Sequence, residues 1–369
     1  HLPQILGLTV VGALGAMLIG VSFSGLLAHP RIFRDAFTFR RGAGRLTTTD
    51  LHNRLSVWTI PFHFSNALTG SILGLASILA FAIAAAGFQN DTTAVFSPIF
   101  GSEPEPVAKA SDNREVADIA GPLEYMAREF PEHKVTFFIV HEPGTTGQHS
   151  DVIAAHSDRL IFGEYYGFTA AGEYEGNGGI SDGTTGQQIT GAIYNVHFGN
   201  WGGLPVKFAY LTFGLGLCVI IASGLSIYFV KREAAGRAAP RLAGAWQGII
   251  WGTPALLAVT LTLSLVGLDG AALVAAFWTG LLICLIASGY SGADRSRRVC
   301  QASTAIALAI TASFYVARYG AQVLSDAGLP MTIMVTLLAG FFGLMALRFE
   351  KESQRSEDDI DGIGFQPAE

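Results

Sequence analysis

Charge is what this sequence has least of. Only 14% of its 369 residues are charged, where a soluble domain carries about a quarter. Cysteine is scarcer still. The three that occur, Cys218, Cys284 and Cys300, fall in or beside apolar stretches and read as buried, inert thiols. The polar middle of the chain has none, which excludes a disulfide framework there, and no CxxC or zinc-type spacing occurs. The first apolar run is preceded by neither a Met nor a basic leader, so it does not read as a signal peptide.

Apolar residues are abundant and unevenly placed. They make up 50% of the chain, and mean hydropathy is +0.41. They gather into stretches 5–28, 56–87, 206–230, 246–268, 270–290, 301–323 and 329–348. Each approaches the ~20 residues a helix needs to cross a ~30 Å hydrocarbon core. The fold class expected is therefore a mainly α bundle of about seven transmembrane helices, embedded in a lipid bilayer.

Basic residues set its orientation. Arg31, Arg34, Arg40, Arg41, Arg45 and Arg54 follow the first span. Lys231, Arg232, Arg237 and Arg241 follow the third, Arg295, Arg297 and Arg298 the fifth, and Arg348, Lys351 and Arg355 the last. All fall on one side if every span crosses once, which makes that side cytoplasmic and puts His1 outside. An outside start with no leader predicts a helix upstream. The net charge of −6 says little, because charge is segregated by segment.

The organisation expected is two helices with a basic loop over 1–87, an outer domain over 88–200, and a third helix with its loop over 201–243. A four-helix region over 244–348 and a cytoplasmic tail over 349–369 complete it. Residues 88–200 hold 16 acids and 5 bases. Apolar spacing predicts a helix over Glu115–Phe130 through Val116, Ile119, Leu123, Met126 and Ala127. β-prone runs follow at Lys134–Val140, Val152–Ala155, Leu160–Phe162 and Tyr165–Thr169, with Gly-rich 172–186 supplying turns. Phe96–Val107, with three prolines, reads as a linker. Phe33, Phe37 and Phe39, interleaved with arginines, suit an interfacial helix.

The nine histidines are placed unevenly too. His133, His141, His149 and His156 lie in the outer domain, His1, His29, His52, His63 and His197 in or at the ends of the first three spans, and the last four spans have none. Ionisable groups at membrane depth are costly and point to function. His63 lies roughly 10 Å inside the second span at 1.5 Å per residue. His52 precedes it by 11 residues, close to three whole turns, so both rings point one way unless Pro61 kinks the helix. His29 with His63 or His52 makes one cluster, and His1 with His197 the other. Facing imidazoles between helices hold haem iron in this manner, whereas a single such histidine also serves as an interfacial hydrogen-bonding residue. Lys207 and Arg318, near outer ends of spans, are candidate haem propionate partners or snorkelling anchors. Asp50, after Thr47–Thr49, reads as a helix cap.

Three blocks resemble the PepSY-associated transmembrane family of bacterial inner-membrane proteins. They are His29-Pro-Arg-Ile-Phe-Arg-Asp-Ala-Phe-Thr-Phe-Arg40, Asp50-Leu-His-Asn-Arg-Leu with Pro61-Phe-His63, and Asn195-Val-His-Phe-Gly-Asn-Trp-Gly-Gly-Leu-Pro205. They span roughly residues 1–232, around an outer α+β segment. The resemblance implies a periplasmic PepSY-like domain on an inner-membrane protein, and one or two b-type haems ligated by His1, His29, His63 and His197, as in ferric-siderophore reductases of the family.

Two functions compete. One is a haem-b electron carrier across the membrane, drawing on a quinone or cytoplasmic donor and delivering to an outer acceptor such as a ferric chelate. The other is an accessory or assembly subunit of a respiratory or iron-uptake complex, without catalysis of its own. A regulatory role for the outer domain is a third. No nucleic-acid partner is expected, and the lack of an acidic relay or broken-helix pair argues against transport. One objection to the carrier is distance: His1 and His29 stand about 42 Å apart if helical throughout.

Overall fold

The computed structural model describes residues 4–29, 31–37, 45–100, 117–156, 159–325 and 327–361. Seven helices among them are long and apolar enough to cross a membrane. The chain divides into two compact units, one over Pro3–Ile221 and one over Ala222–Glu369.

The first unit opens with α1 (Gln4–Ala28), a four-residue α2 (Ile32–Asp35) and the long α3 (Arg45–Gly87). Pro61 lies inside α3, which stays helical on either side of it. Helices in lipid gain little from burying apolar surface against each other, so close contact must come from small side chains. Here α1 and α3 run antiparallel through Gly12, Gly15, Ser71 and Gly74. A Cβ on Gly74 would lie 2.6 Å from the Leu8 carbonyl oxygen and 2.7 Å from the Gly12 Cα. Further along the pair, the Phe23 and Phe64 rings meet edge-on at 5.4 Å. Large apolar side chains such as Leu14 and Val21 on α1 stay exposed and face the bilayer. Asp50 is not a cap: α3 already begins at Arg45, so Asp50 lies in its second turn, where it is buried.

After α3 come α4 (Thr92–Phe100) and α5 (Ala120–Glu129). The first of these corrects the linker expected from Phe96, since 92–100 is helical; residues 101–116 lie outside the described part. A four-stranded antiparallel sheet follows, β1 (Lys134–His141), β2 (His149–Ala155), β3 (Glu164–Thr169) and β4 (Tyr174–Asn177), in sequential order. Three strands match the β-prone runs. Two readings are corrected. Leu160–Phe162 is a bend, its Phe162 N–H donating to the Gly191 carbonyl, and Tyr174–Asn177 is a strand within a stretch read as turns. The core is Met126 of α5 against Val152, Ala154, Tyr166 and Phe168. A bulge between Val135 and Phe137 brings Val135 and Phe138 to this same face. Ile119 and Leu123 are partly exposed while Pro122 and Met126 are buried, so the buried stripe of α5 is rotated from the one predicted.

A capping box at Thr184 and Gln187 starts α6 (Thr185–Phe198). The last span to begin in this unit is α7 (Gly203–Ala234).

The second unit is helical. One span is built from α8 (Pro240–Gln247), a π turn over Gly248–Gly252 and α9 (Thr253–Val266). Then come α10 (Gly270–Ser291), α11 (Ala293–Tyr319) with a 3-10 extension through Leu324, and α12 (Gly328–Asp361). The arginines expected in a loop, Arg295, Arg297 and Arg298, lie in the first turns of α11, and Gly292 alone separates α10 from α11. Hydroxyls tie the helices together. Thr311 Oγ1 lies 2.7 Å from Thr262 Oγ1 on α9 and Ser296 donates to the Ser288 carbonyl of α10 at 3.0 Å, while Thr304 donates to the Cys300 carbonyl of its own helix at 2.8 Å.

Candidate functional site: a histidine face on α3

Helical geometry places His52, His63 and Gly70 on one face of α3, within about 20° of one another. His63 stands about 16 Å along the axis from His52, and Gly70 about 10 Å further on. Gly70 matters because of what lies over it. A Cβ there would fall 2.7 Å from Cε1 of His197, so the absent side chain is what admits the His197 ring. His197 reaches this place because α6 runs back to α3 before α7 begins. The turn between α6 and α7 is set by Gly199, in the left-handed region at φ 60° and with the Tyr210 ring 3.0 Å from where its Cβ would be. Both features exclude a larger residue.

The three imidazoles have different surroundings. Nδ1 of His52 lies 3.0 Å from the Ile220 carbonyl oxygen on α7; a carbonyl only accepts, so the proton sits on Nδ1. Nδ1 of His197 lies 3.1 Å from Thr69 Oγ1. The Thr69 hydroxyl proton is already directed to the Ser65 carbonyl at 2.8 Å, so the imidazole Nδ1–H donates to Thr69. That fixes the tautomer in which Nε2 carries the lone pair, the form suited to metal ligation. Burial holds the His197 pKa below its ordinary value, with a hydrogen bond to the Asn66 backbone acting in the opposite sense, so the ring is neutral near pH 7.

His63 is different. It is 5% exposed, and neither of its ring nitrogens has a hydrogen-bond partner. Its contacts are aromatic: the Phe62 ring at 5.4 Å, which in turn meets Tyr210 at 4.9 Å and Phe213 at 5.0 Å on α7. Tyr210 donates its hydroxyl to the Val196 carbonyl, next to His197. A run of rings thus leads from His63 through Phe62 and Tyr210 to the backbone beside His197.

The other expected site residues fall as follows. His29 ends α1 half-buried, its carbonyl accepting from the Ile32 N–H at 2.9 Å. By the antiparallel pairing of α1 with α3 it comes about level with Trp58, between His52 and His63. His1 lies outside the described residues. Lys207 is occupied: its ammonium donates to the Phe198 carbonyl at 3.0 Å and to Asn200 Oδ1 at 2.6 Å, and so satisfies the C-terminal end of α6. Arg318 is exposed in the last turn of α11, in the second unit. Among the described residues no cluster of three or more His, Cys, Asp or Glu could hold a metal ion. Iron on this face would need its other ligands from a macrocycle, which is what haem supplies. The residues fit such a group. The two nitrogens of His63 are buried and unanswered, and Nε2 of His197 is left free by the hydrogen bond that its Nδ1 makes.

Residue spacing could show the His52–His63 alignment but not that His197 joins it, because that depends on the fold of α6. The ring run through Phe62 and Tyr210 was missed for the same reason.

Residues 1–232 match the family model for the PepSY-associated TM region. The match ends near the end of α7, and the four following spans lie beyond it. An uncharacterized protein of Pseudomonas aeruginosa is 26% identical over 306 residues, covering 76% of this chain and 73% of that relative. No solved structure matches the chain.

Proposed function

The chain belongs to the PepSY-associated TM family, and on that premise we propose that it is a haem-b-binding inner-membrane protein that carries electrons across the bilayer. The observation that carries this reading is His63, whose ring is buried in a membrane helix with both nitrogens unpartnered. Leaving such a group unsatisfied costs about 1–3 kcal/mol, a cost that ligation removes. Haem iron, when bound, supplies reversible one-electron chemistry at a potential set by its axial ligands and their burial.

The chain's own residues supply the rest. His63 offers a neutral ring nitrogen in the membrane interior. His197 offers Nε2, oriented by its donation to Thr69. The shared face supports the reading: His52, His63 and Gly70, which carries the His197 ring, span about 27 Å of α3 in two steps of about 16 and 10 Å. In this reading the strand domain is periplasmic and the basic loops cytoplasmic. Electrons come from a quinone or a cytoplasmic donor, and a ferric chelate is one acceptor.

The test is a dithionite-reduced minus oxidised absorbance spectrum of the purified protein, with haem quantified per chain. A bis-histidine b-type spectrum at one or two haems per chain is expected. A colourless protein after expression with ample iron and haem precursor would leave the accessory-subunit reading in its place.

A further inference from the structure

The first unit carries a cavity that the histidine face does not use. It measures about 730 Å³ and lies between the sheet and the turn from α6 into α7, with His156, Arg159, Phe162, Tyr194, Asn200 and Trp201 in its wall. Sites for small molecules and headgroups have this size. The wall contains no acid. That sets it apart from residues 88–200 as a whole, where 16 acids face 5 bases, one of them Arg159. Among the described residues Arg159 makes no ion pair. Glu164, whose charge reaches His156, is buried and already accepts from the backbone N–H groups of Tyr165 and Ser181. The cavity thus offers a cation and aromatic rings with no carboxylate to answer them.

Position narrows the ligand. Asn200 and Trp201 directly precede α7, a membrane span that begins at Gly203. This wall of the cavity therefore lies at headgroup depth, where Trp and Tyr side chains gather. The span that starts there exposes Leu204, Phe208, Leu211 and Leu215, all within about 60° of one another on the helix, a stripe that suits acyl chains. A guanidinium meets a phosphate through parallel hydrogen bonds, and basic pockets at a membrane surface hold anionic lipid headgroups. We propose that this cavity binds the phosphate of an anionic phospholipid, with Arg159 as its anchor. The Asn200 amide oxygen is held by Lys207 at 2.6 Å, which leaves its NH2 group to donate to the same headgroup. The site stands whether or not a haem is bound.

The experiment uses the delipidated full chain in detergent, titrated with short-chain phosphatidylglycerol and read by native mass spectrometry. Short-chain phosphatidylcholine and inorganic phosphate serve as comparison ligands. Phosphatidylglycerol should bind more tightly than either. Arg159→Gln should weaken its binding about tenfold or more, the loss of one charge-assisted hydrogen bond, and Arg159→Lys should restore part of it. Arg128→Gln, which removes an exposed arginine paired with Glu129 in the same domain, should leave binding unchanged. A phosphatidylglycerol with a photoactivatable headgroup should label the peptides holding Leu160 or Trp201 in the unaltered protein, a readout that does not depend on whether a variant folds. Equal binding by Arg159→Gln, or labelling confined to other peptides, would overturn the proposal. Inorganic phosphate that displaces the lipid at equal concentration would make this a site for free anions and overturn it too.

Discussion

The membrane helices of the two units treat buried polar groups in opposite ways. On α11 the hydroxyls of Ser296, Thr304 and Thr311 are buried and each is partnered, Ser296 by the Ser288 carbonyl of α10, Thr304 by the Cys300 carbonyl of its own helix and Thr311 by the Thr262 hydroxyl of α9. Those of Ser296 and Thr311 are glue between helices, worth roughly 0.6 kcal/mol each. On α3 the buried His63 has no such partner, while His52 and His197 each spend one nitrogen on the protein. In lipid no water answers an open polar group. A helix face that keeps ligating nitrogens open is arranged around something other than its neighbours. Gln301 on α11 is fully buried with neither amide atom hydrogen-bonded, and it is the useful control.

That contrast can be broken or sharpened by substitution. The largest effect is expected at His63: His63→Leu should remove at least one haem per chain from the reduced-minus-oxidised spectrum. In the haem-free protein the same change should raise stability by about 1–3 kcal/mol. Stability gained with the haem spectrum unchanged would make His63 a mere orphan. Next is Gly74→Val, which drives a side chain into the Leu8 carbonyl and Gly12. Overpacking of about 3 kcal/mol should lower the thermal unfolding midpoint, whereas Gly20→Val, with open space around it, should leave it in place. Gln301→Leu should stabilise the chain by about 1–3 kcal/mol with no change in any haem band, in contrast to His63→Leu.

A smaller effect concerns pH. Burial, reinforced by the neighbouring His133, holds the His156 pKa below its ordinary value, and both imidazoles lie on the Tyr166 hydroxyl, at 2.8 Å for His133 Nδ1 and 3.3 Å for His156 Nε2. Above the ordinary histidine pKa of about 6.5 the ring is neutral folded or unfolded, and pH has no effect through it. As pH falls below that value the unfolded chain binds the proton first, so stability is lost until the folded value is passed. Chemical denaturation at pH 7.5 and 5.5 should show this loss, and His156→Gln should reduce it. The smallest effect is Thr311→Val, expected to cost about 0.6 kcal/mol and to leave haem content untouched.

Much of this was legible in residue order, for physical reasons. A 20-residue apolar run has one stable solution in lipid, so all seven spans could be placed from composition. The alignment of His52 with His63 follows from 3.6 residues per turn alone. β-prone runs also revealed β1 to β3. What escaped depends on partners far along the chain. β4 lies in a Gly-rich stretch and is a strand because β3 pairs with it. The Asp50 reading failed because α3 extends a turn further than its apolar part. His197 meets Gly70 through a helix contact that no local pattern encodes. Lys207 was read as an anchor or a propionate partner, but its position nine residues after Phe198 lets it close α6 instead.

The central claim, conduction of electrons along α3, is tested most directly in sealed vesicles. Purified protein would be reconstituted into liposomes loaded with ferricyanide, and dithionite added outside only. Bleaching of the internal ferricyanide by haem-loaded protein, abolished in His63→Leu and slowed in Phe62→Leu, is the predicted result. Internal ferricyanide that survives at the rate of protein-free liposomes, with haem present and reduced, would contradict the account.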